Sequence, residues 1–169
     1  MDFKRLHDVY VEQLKDMYSA EKQLVEALPK MAEAASTPEL RQAFEQHLQI
    51  TKRQQDKVRK ILDGLDENPG NKVCVAMRGL IEEGNEVMKK DGHPQAKDAA
   101  LILAAQKVEH YEIASYGGLR AFARTLGYDD AAESLNEILD EEYEADQKLD
   151  DIAEGGVLTA GLNEKASTR

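Results

Sequence analysis

The sequence has little of what most small stabilised or membrane-bound chains depend on. It has one cysteine, four prolines and no tryptophan in 169 residues. A lone Cys74 excludes an internal disulfide framework and fits a reducing cytoplasm. No uninterrupted apolar run approaches the roughly 20 residues that a membrane span needs, so no membrane partner is expected. The start, MDFKRLHDVYVEQL, lacks the basic-then-apolar pattern of an export signal, and the expectation is a cytoplasmic protein. Positive charge is also scarce. Lys plus Arg number 22 against 33 Asp plus Glu, a net charge of −11, which repels phosphate backbones and argues against nucleic-acid binding. What remains is abundant Ala, Leu, Glu, Gln and Lys, the residues of helices. The length suits one domain with one core.

Breaker clusters divide the chain. Ser36-Thr37-Pro38-Glu39 reads as a helix start, with Ser or Thr as cap and Pro in the first turn. The stretch GLDENPG, Gly64 to Gly70, is a strong turn signal, and Asp91-Gly92-His93-Pro94 ends one helical pattern and opens another. At Gly127-Tyr128-Asp129-Asp130, Gly is placed as a C-terminal cap and Asp as the next N-cap. Helices are therefore expected near 3–35, 38–64, 72–90, 95–126 and 129–154. Four are long, about 40–50 Å at 1.5 Å per residue. Short joints make the first two antiparallel, and likewise the last two. The shorter segment at 72–90 carries the chain across between the pairs. The predicted fold is all-α: a ferritin-like four-helix bundle with a long crossover containing a short fifth helix, in a domain spanning 1–155. Residues 156–169 have no sustained period and are expected to be a loosely docked or mobile tail.

The seams of these helices, read at spacings of three and four, are apolar with interruptions. Helix one runs Leu14, Met17, Glu21, Leu24, Leu28, Met31; helix two runs Leu40, Phe44, His47, Ile50 or Thr51, Gln54, Val58, Ile61. Helix three of the bundle runs Leu101, Ala105, Val108, Glu112, Ser115, Leu119, Phe122. Helix four runs Leu135, Ile138, Glu142, Ala145 or Asp146, Leu149, Ile152. One inward glutamate usually snorkels to water. Four interruptions at one depth are different, because the midpoints of antiparallel helices meet in a single layer. Glu21, His47, Glu112 and Glu142 should converge there. Three buried carboxylates repel one another and carry heavy desolvation costs. Protonation, paired cations or a metal would relieve them, and Lys107 and Lys148 fall off the seams. Divalent metals accept carboxylate and imidazole together, which makes the layer a metal-site candidate. Glu109 lies three residues before Glu112 and Asp146 four after Glu142, so both can face the same centre. The strict Glu-x-x-His pattern of di-metal bundles is not spelled, since Phe44 precedes His47 and Lys107 precedes His110.

Several stretches carry a resemblance: DMYSAEKQLVEALPKMA, AFEQHL, AMRGLIEEGNEVM, DAALILAAQKVEHYEIASYGGL and LDEEYEADQKL. Through them the chain resembles the ferritin-like stress-associated proteins of the YciF type. That likeness implies a rubrerythrin-like bundle, a homodimer, and a di-metal centre. Iron is the implied metal, with two ions per chain and manganese or zinc as alternatives. It also places Glu21, His47, Glu109, Glu112, Glu142 and Asp146 at the ligand positions. One departure stands out: the family pattern reads His-Leu-x-Glu-Thr in helix two, whereas this chain has His47-Leu48-Gln49-Ile50-Thr51.

Two functions follow as expectations. One is a di-metal oxidase or peroxide-handling protein, because a ferrous pair supplies two electrons to dioxygen or peroxide. The other is a non-enzymatic scaffold for dimerisation or partner binding, which Ile50 favours. Tyr18, Tyr111, Tyr116 and Tyr143 lie near the layer, and packing with a hydroxyl hydrogen bond accounts for them. His7 and His93 read as solvated. His110 points about 100° away from Glu109 and reads as a supporting or surface residue. Cys74 reads as a small buried hydrophobe. The basic run Lys52–Lys60 and the cluster Glu82, Glu83 and Glu86 read as solvated faces.

Overall fold

The computed structural model describes residues 3–156 and 159–167. Five helices make the body: α1 Leu6–Ala34, α2 Pro38–Gly64, α3 Val75–Lys89, α4 Pro94–Leu126 and α5 Asp129–Glu154. A pair of two-residue strands, β1 Gly155–Gly156 and β2 Thr159–Ala160, and a short helix, α6 Leu162–Ser167, follow. No helix among the described residues is long and apolar enough to cross a membrane.

The helix ends have local causes. Asp8 closes the first turn of α1 by accepting the backbone N–H groups of Lys4 and Arg5 at 3.1 and 3.0 Å. Pro38 and Pro94 open α2 and α4, where a missing N–H costs nothing. Pro29 falls inside α1 on its exposed face, where water can take the carbonyl it leaves without a donor. Gly127 ends α4 in the left-handed region at φ 75°, with Gly127 N–H on the Arg124 carbonyl and Tyr128 N–H on that of Ala123. The N-cap of α5 is Tyr128 rather than the expected aspartate. Asp129 and Asp130 instead occupy its first turn, favourable for the helix dipole. Helix α3 begins three residues later than expected. Cys74 is its cap, and Sγ accepts the Met77 N–H at 3.4 Å.

The turn between α1 and α2 departs from local capping. Thr37 is the N-cap of α2, but its side chain makes no bond to its own helix. Instead both hydroxyls and both backbone N–H groups of Ser36 and Thr37 reach Asp98 of α4, at 2.5 to 2.9 Å. Asp98 is fully buried. Burial pushes its carboxyl up, but the bonds from Thr37 and Ser36 outweigh that and hold it below the usual carboxylate range.

Pairs α1–α2 and α4–α5 form antiparallel hairpins, α1 also packs on α4, and α2 on α5. The four long helices thus close a ring, with α3 laid over α1 and α4. Leu14, Met17, Leu24, Phe44, Val58, Leu101, Leu119, Leu135 and Ile138 fill the interior, the three-and-four spacing of each seam turned inward. On α4 the buried residue after Glu112 is Tyr116, not Ser115, whose hydroxyl donates to the Tyr111 carbonyl at 2.7 Å. Past Glu154 the described residues stay against the body. Leu162 enters the core, and α6 lies against α4 and α5. Gly161 permits this, because a Cβ there would sit 2.2 Å from the carbonyl carbon of Glu154. Of the expected tail, residues 157, 158, 168 and 169 lie outside the described residues.

Candidate metal centre

Each long helix sends at least one ionisable side chain to a common level. Glu21 comes from α1, His47 from α2, Glu109 and Glu112 from α4, and Glu142 from α5. All five are buried. His47, Glu109, Glu112 and Glu142 each offer one ligand atom, and the four atoms lie within 4.8 Å of one another. The spacing of Glu109 and Glu112 explains how one helix gives two of them, since residues three apart share a face.

The polar atoms there are short of partners. With every carboxyl ionised, neither ring nitrogen of His47 has a hydrogen-bond partner, nor has either oxygen of Glu112, nor Oε2 of Glu21, Glu109 or Glu142; a proton can be shared only between the acids themselves, Glu21 with Glu112 and Glu109 with Glu142. His47 Nε2 lies 3.5 Å from Glu109 Oε1 and 4.0 Å from Glu142 Oε2, outside hydrogen-bond range. From outside the acids, two side-chain donors reach the layer among the described residues. Gln54 Nε2 donates to Glu142 Oε1 at 2.5 Å, and the Tyr116 hydroxyl donates to Glu21 Oε1.

Electrostatics sharpen the mismatch. Burial, then the Glu142 charge, pushes the carboxyls of Glu21, Glu109 and Glu112 well above the usual range. Burial raises Glu142 from 4.5 to about 7, and Gln54 works against that rise. Burial also lowers His47 from 6.5 to about 4, so the imidazole is neutral at pH 7 and supplies no compensating charge. A protein interior leaves few buried polar atoms unpaired. So many at one level, all carboxylate oxygens or imidazole nitrogens, fit a divalent cation that takes both donor types. The cluster could hold a metal ion.

The remaining expected ligands sit differently. Glu21 belongs to the same buried layer but lies outside the group of four, with one oxygen on Tyr116. Asp146 lies at the edge, where Oδ2 meets His110 Nε2 at 3.1 Å and Oδ1 is buried without a partner. His110 is 69% exposed and acts as that edge partner. Ile50 is half-buried and lines a cavity beside His47, while Thr51 is buried and donates to the His47 carbonyl at 2.9 Å. Among the tyrosines, Tyr116 alone bonds a residue of the layer. Tyr111 meets Cys74 Sγ and Asp16 Oδ2, each at 3.0 Å, and Tyr143 is 54% exposed. Cys74 is buried as expected, but it is not a bare hydrophobe, since its Sγ meets the Met77 N–H and the Tyr111 hydroxyl. Gln54 was visible on the seam of α2, yet a neutral amide gave no sign of its partner 88 residues away.

A family model described as "Domain of unknown function (DUF892)" matches residues 5–162. Protein YciF of Escherichia coli (strain K12) is 46% identical over 170 residues, covering all of this chain and 99% of that protein. The crystal structure of the E. coli stress protein YciF is similar at a TM-score of 0.88 and 45% identity, over 98% of this chain and 99% of that one. YcfI from Rhodopseudomonas palustris, named as a candidate structural protein, is similar at a TM-score of 0.86 and 39% identity, over 90% of this chain and 97% of that one.

Proposed function

The chain belongs to the DUF892 family, of which the YciF stress protein is a relative, and on that premise we propose that its buried carboxylate layer is an iron centre that handles dioxygen or peroxide. The observation that carries the reading is the group His47, Glu109, Glu112 and Glu142, whose ligand atoms converge while most of their polar atoms lack protein partners. These four hold the first ion. Glu21 and Asp146 are the residues left for a second, with manganese or zinc as alternative metals. Bound iron supplies the electrons that reduce dioxygen or peroxide. The chain's own residues do the rest. Neutral His47 keeps a lone pair available at pH 7. Gln54 orients Glu142, and Tyr116 orients Glu21, as outer hydrogen bonds do around metal ligands. Met17 and Leu24 of α1 flank Glu21 in the core and help keep bulk water from the layer.

Ile50 favours a second reading, a homodimeric scaffold in which the centre is degenerate and the helical surface binds a partner. Metal analysis separates the two. Protein purified without chelator, or reconstituted with ferrous iron, is expected to carry about one ion per chain or more. Less than about one tenth of an ion after reconstitution leaves only the scaffold.

A further inference from the structure

Between α2 and α5 a cavity of about 250 Å³ reaches from the surface to the His47–Glu109 side of the layer. Phe44, Ile50 and Leu149, with Ala43 and Ala145, line its apolar walls. At its inner end are His47, with both ring nitrogens unpaired, and Glu109, with Oε2 unpaired, and both residues are more than nine-tenths buried. Lys148, whose Nζ donates to Gln46, and the carboxylates of Glu141 and Glu144 stand around it, so charge of both signs is represented. An engineered cavity of roughly 150 Å³ admits benzene; this one has room for a larger molecule.

We propose that this cavity is a binding chamber for a small uncharged organic molecule with an apolar body and one hydroxyl or hydroperoxyl head. The walls take the body. The hydroxyl of the head can donate to an unpaired oxygen of Glu109 and accept the ring N–H of His47, so both gain a hydrogen bond they lack. A carboxylate head would face the Glu109 carboxyl, and an ammonium would have to leave water and the Glu141 and Glu144 carboxylates for walls of Phe44, Ile50 and Leu149. Ile50 is one of the residues that make these walls apolar, one turn from His47 on the same face of α2. The inference deepens the iron-centre reading by naming the class of molecule that reaches the layer, but binding to the metal-free chain does not depend on that reading.

Benzyl alcohol is the probe. It is titrated into the full chain, once stripped by chelator and once loaded with iron, while the methyl signals of Ile50, Leu149 and Ala43 are followed by NMR. Saturable shifts at these residues are expected in the stripped protein, with a dissociation constant of about 1 mM for a ligand of this size. Toluene, which lacks the hydroxyl, is expected to bind about tenfold more weakly. Ile50→Trp fills the chamber and is expected to weaken binding about tenfold or more; Ala145→Leu does the same from the opposite helix and serves if the first variant fails to fold. Absence of saturable shifts by about 20 mM overturns the chamber, as does affinity unchanged in a folded cavity-filling variant. Toluene binding as tightly as the alcohol overturns the role of the head. Uptake by a chain that never retains iron supports the chamber while the iron reading fails; iron retained without uptake does the reverse.

Discussion

Gln54 on α2 donates its amide to Glu142 on α5 across 2.5 Å, both side chains fully buried. This is the one hydrogen bond from a side-chain amide to the four-residue ligand group among the described residues. It fixes the carboxylate of Glu142 in place before any cation arrives.

Gln54→Leu keeps much of the volume and removes the donor. Glu142 Oε1 then joins Oε2 in lacking the donor, a loss of about 1–3 kcal/mol. For a domain of this size that lowers Tm by about 2–4 °C per kcal/mol, measurable by calorimetry on chelator-treated protein. Iron affinity is expected to fall about 10- to 100-fold, as for other outer partners of metal ligands. An unchanged affinity would show that Glu142 needs no such support.

Glu112→Gln tests the layer by the sign of two shifts. Metal content of the variant should drop about tenfold or more, because a charged ligand with both oxygens unpaired is lost. Melting of the metal-free protein at pH 7 should move upward, because one buried acid among several is replaced by a neutral group. A variant that keeps its metal and melts lower in the stripped form contradicts both arguments.

The stability of the metal-free chain should fall as pH rises. Folded Glu142 titrates at about 7 against 4.5 for an ordinary glutamate, and Glu21, Glu109 and Glu112 are raised as well. The unfolded chain sheds these protons near pH 4.5 while the folded chain keeps them, so their contribution is fully present below that pH and lost as pH climbs through the folded values. His47 acts in the opposite direction. Lowered from 6.5 to about 4, it contributes above 6.5 and loses that contribution as pH falls toward 4. Four carboxyls outweigh one imidazole, and Tm between pH 5 and pH 7 should decline. Bound metal should reverse the slope, because its ligands must release protons to bind it. Calorimetric scans with and without iron at the two pH values measure both slopes.

Asp98→Ala should be among the more damaging single changes outside the layer. It removes an acceptor of four hydrogen bonds that ties the α1–α2 turn to α4. The expected loss is about 1–3 kcal/mol, since the bonds to a buried carboxylate are lost while their donors, on exposed Ser36 and half-buried Thr37, can turn in part to water. Urea denaturation of Asp98→Ala beside Asp98→Asn measures it, and the asparagine variant should retain part of the stability. Loss of less than about 0.5 kcal/mol would mean that water replaces the carboxylate without cost.

Periodicity and local chemistry decided much about this protein before any coordinates. Pro38, Pro94 and Gly127 act only on their neighbours, and they mark helix ends within a residue of where they fall. The three-and-four spacing turned Leu14, Phe44, Leu101 and Leu135 inward, and it also exposed Glu21, His47, Glu112 and Glu142 as intruders in apolar seams. Depth along each helix was legible because short joints align antiparallel neighbours. Partnership across helices was not. Periodicity states which face a residue occupies, but not which of two adjacent residues packs, so Tyr116 rather than Ser115 reaches Glu21, and Asp146 turns to His110. Nor does it say that Asp98 would satisfy a turn some 60 residues earlier. Such bonds arise where distant segments meet, with a geometry set by how the helices rotate and cross, and that packing is a property of the whole tertiary structure.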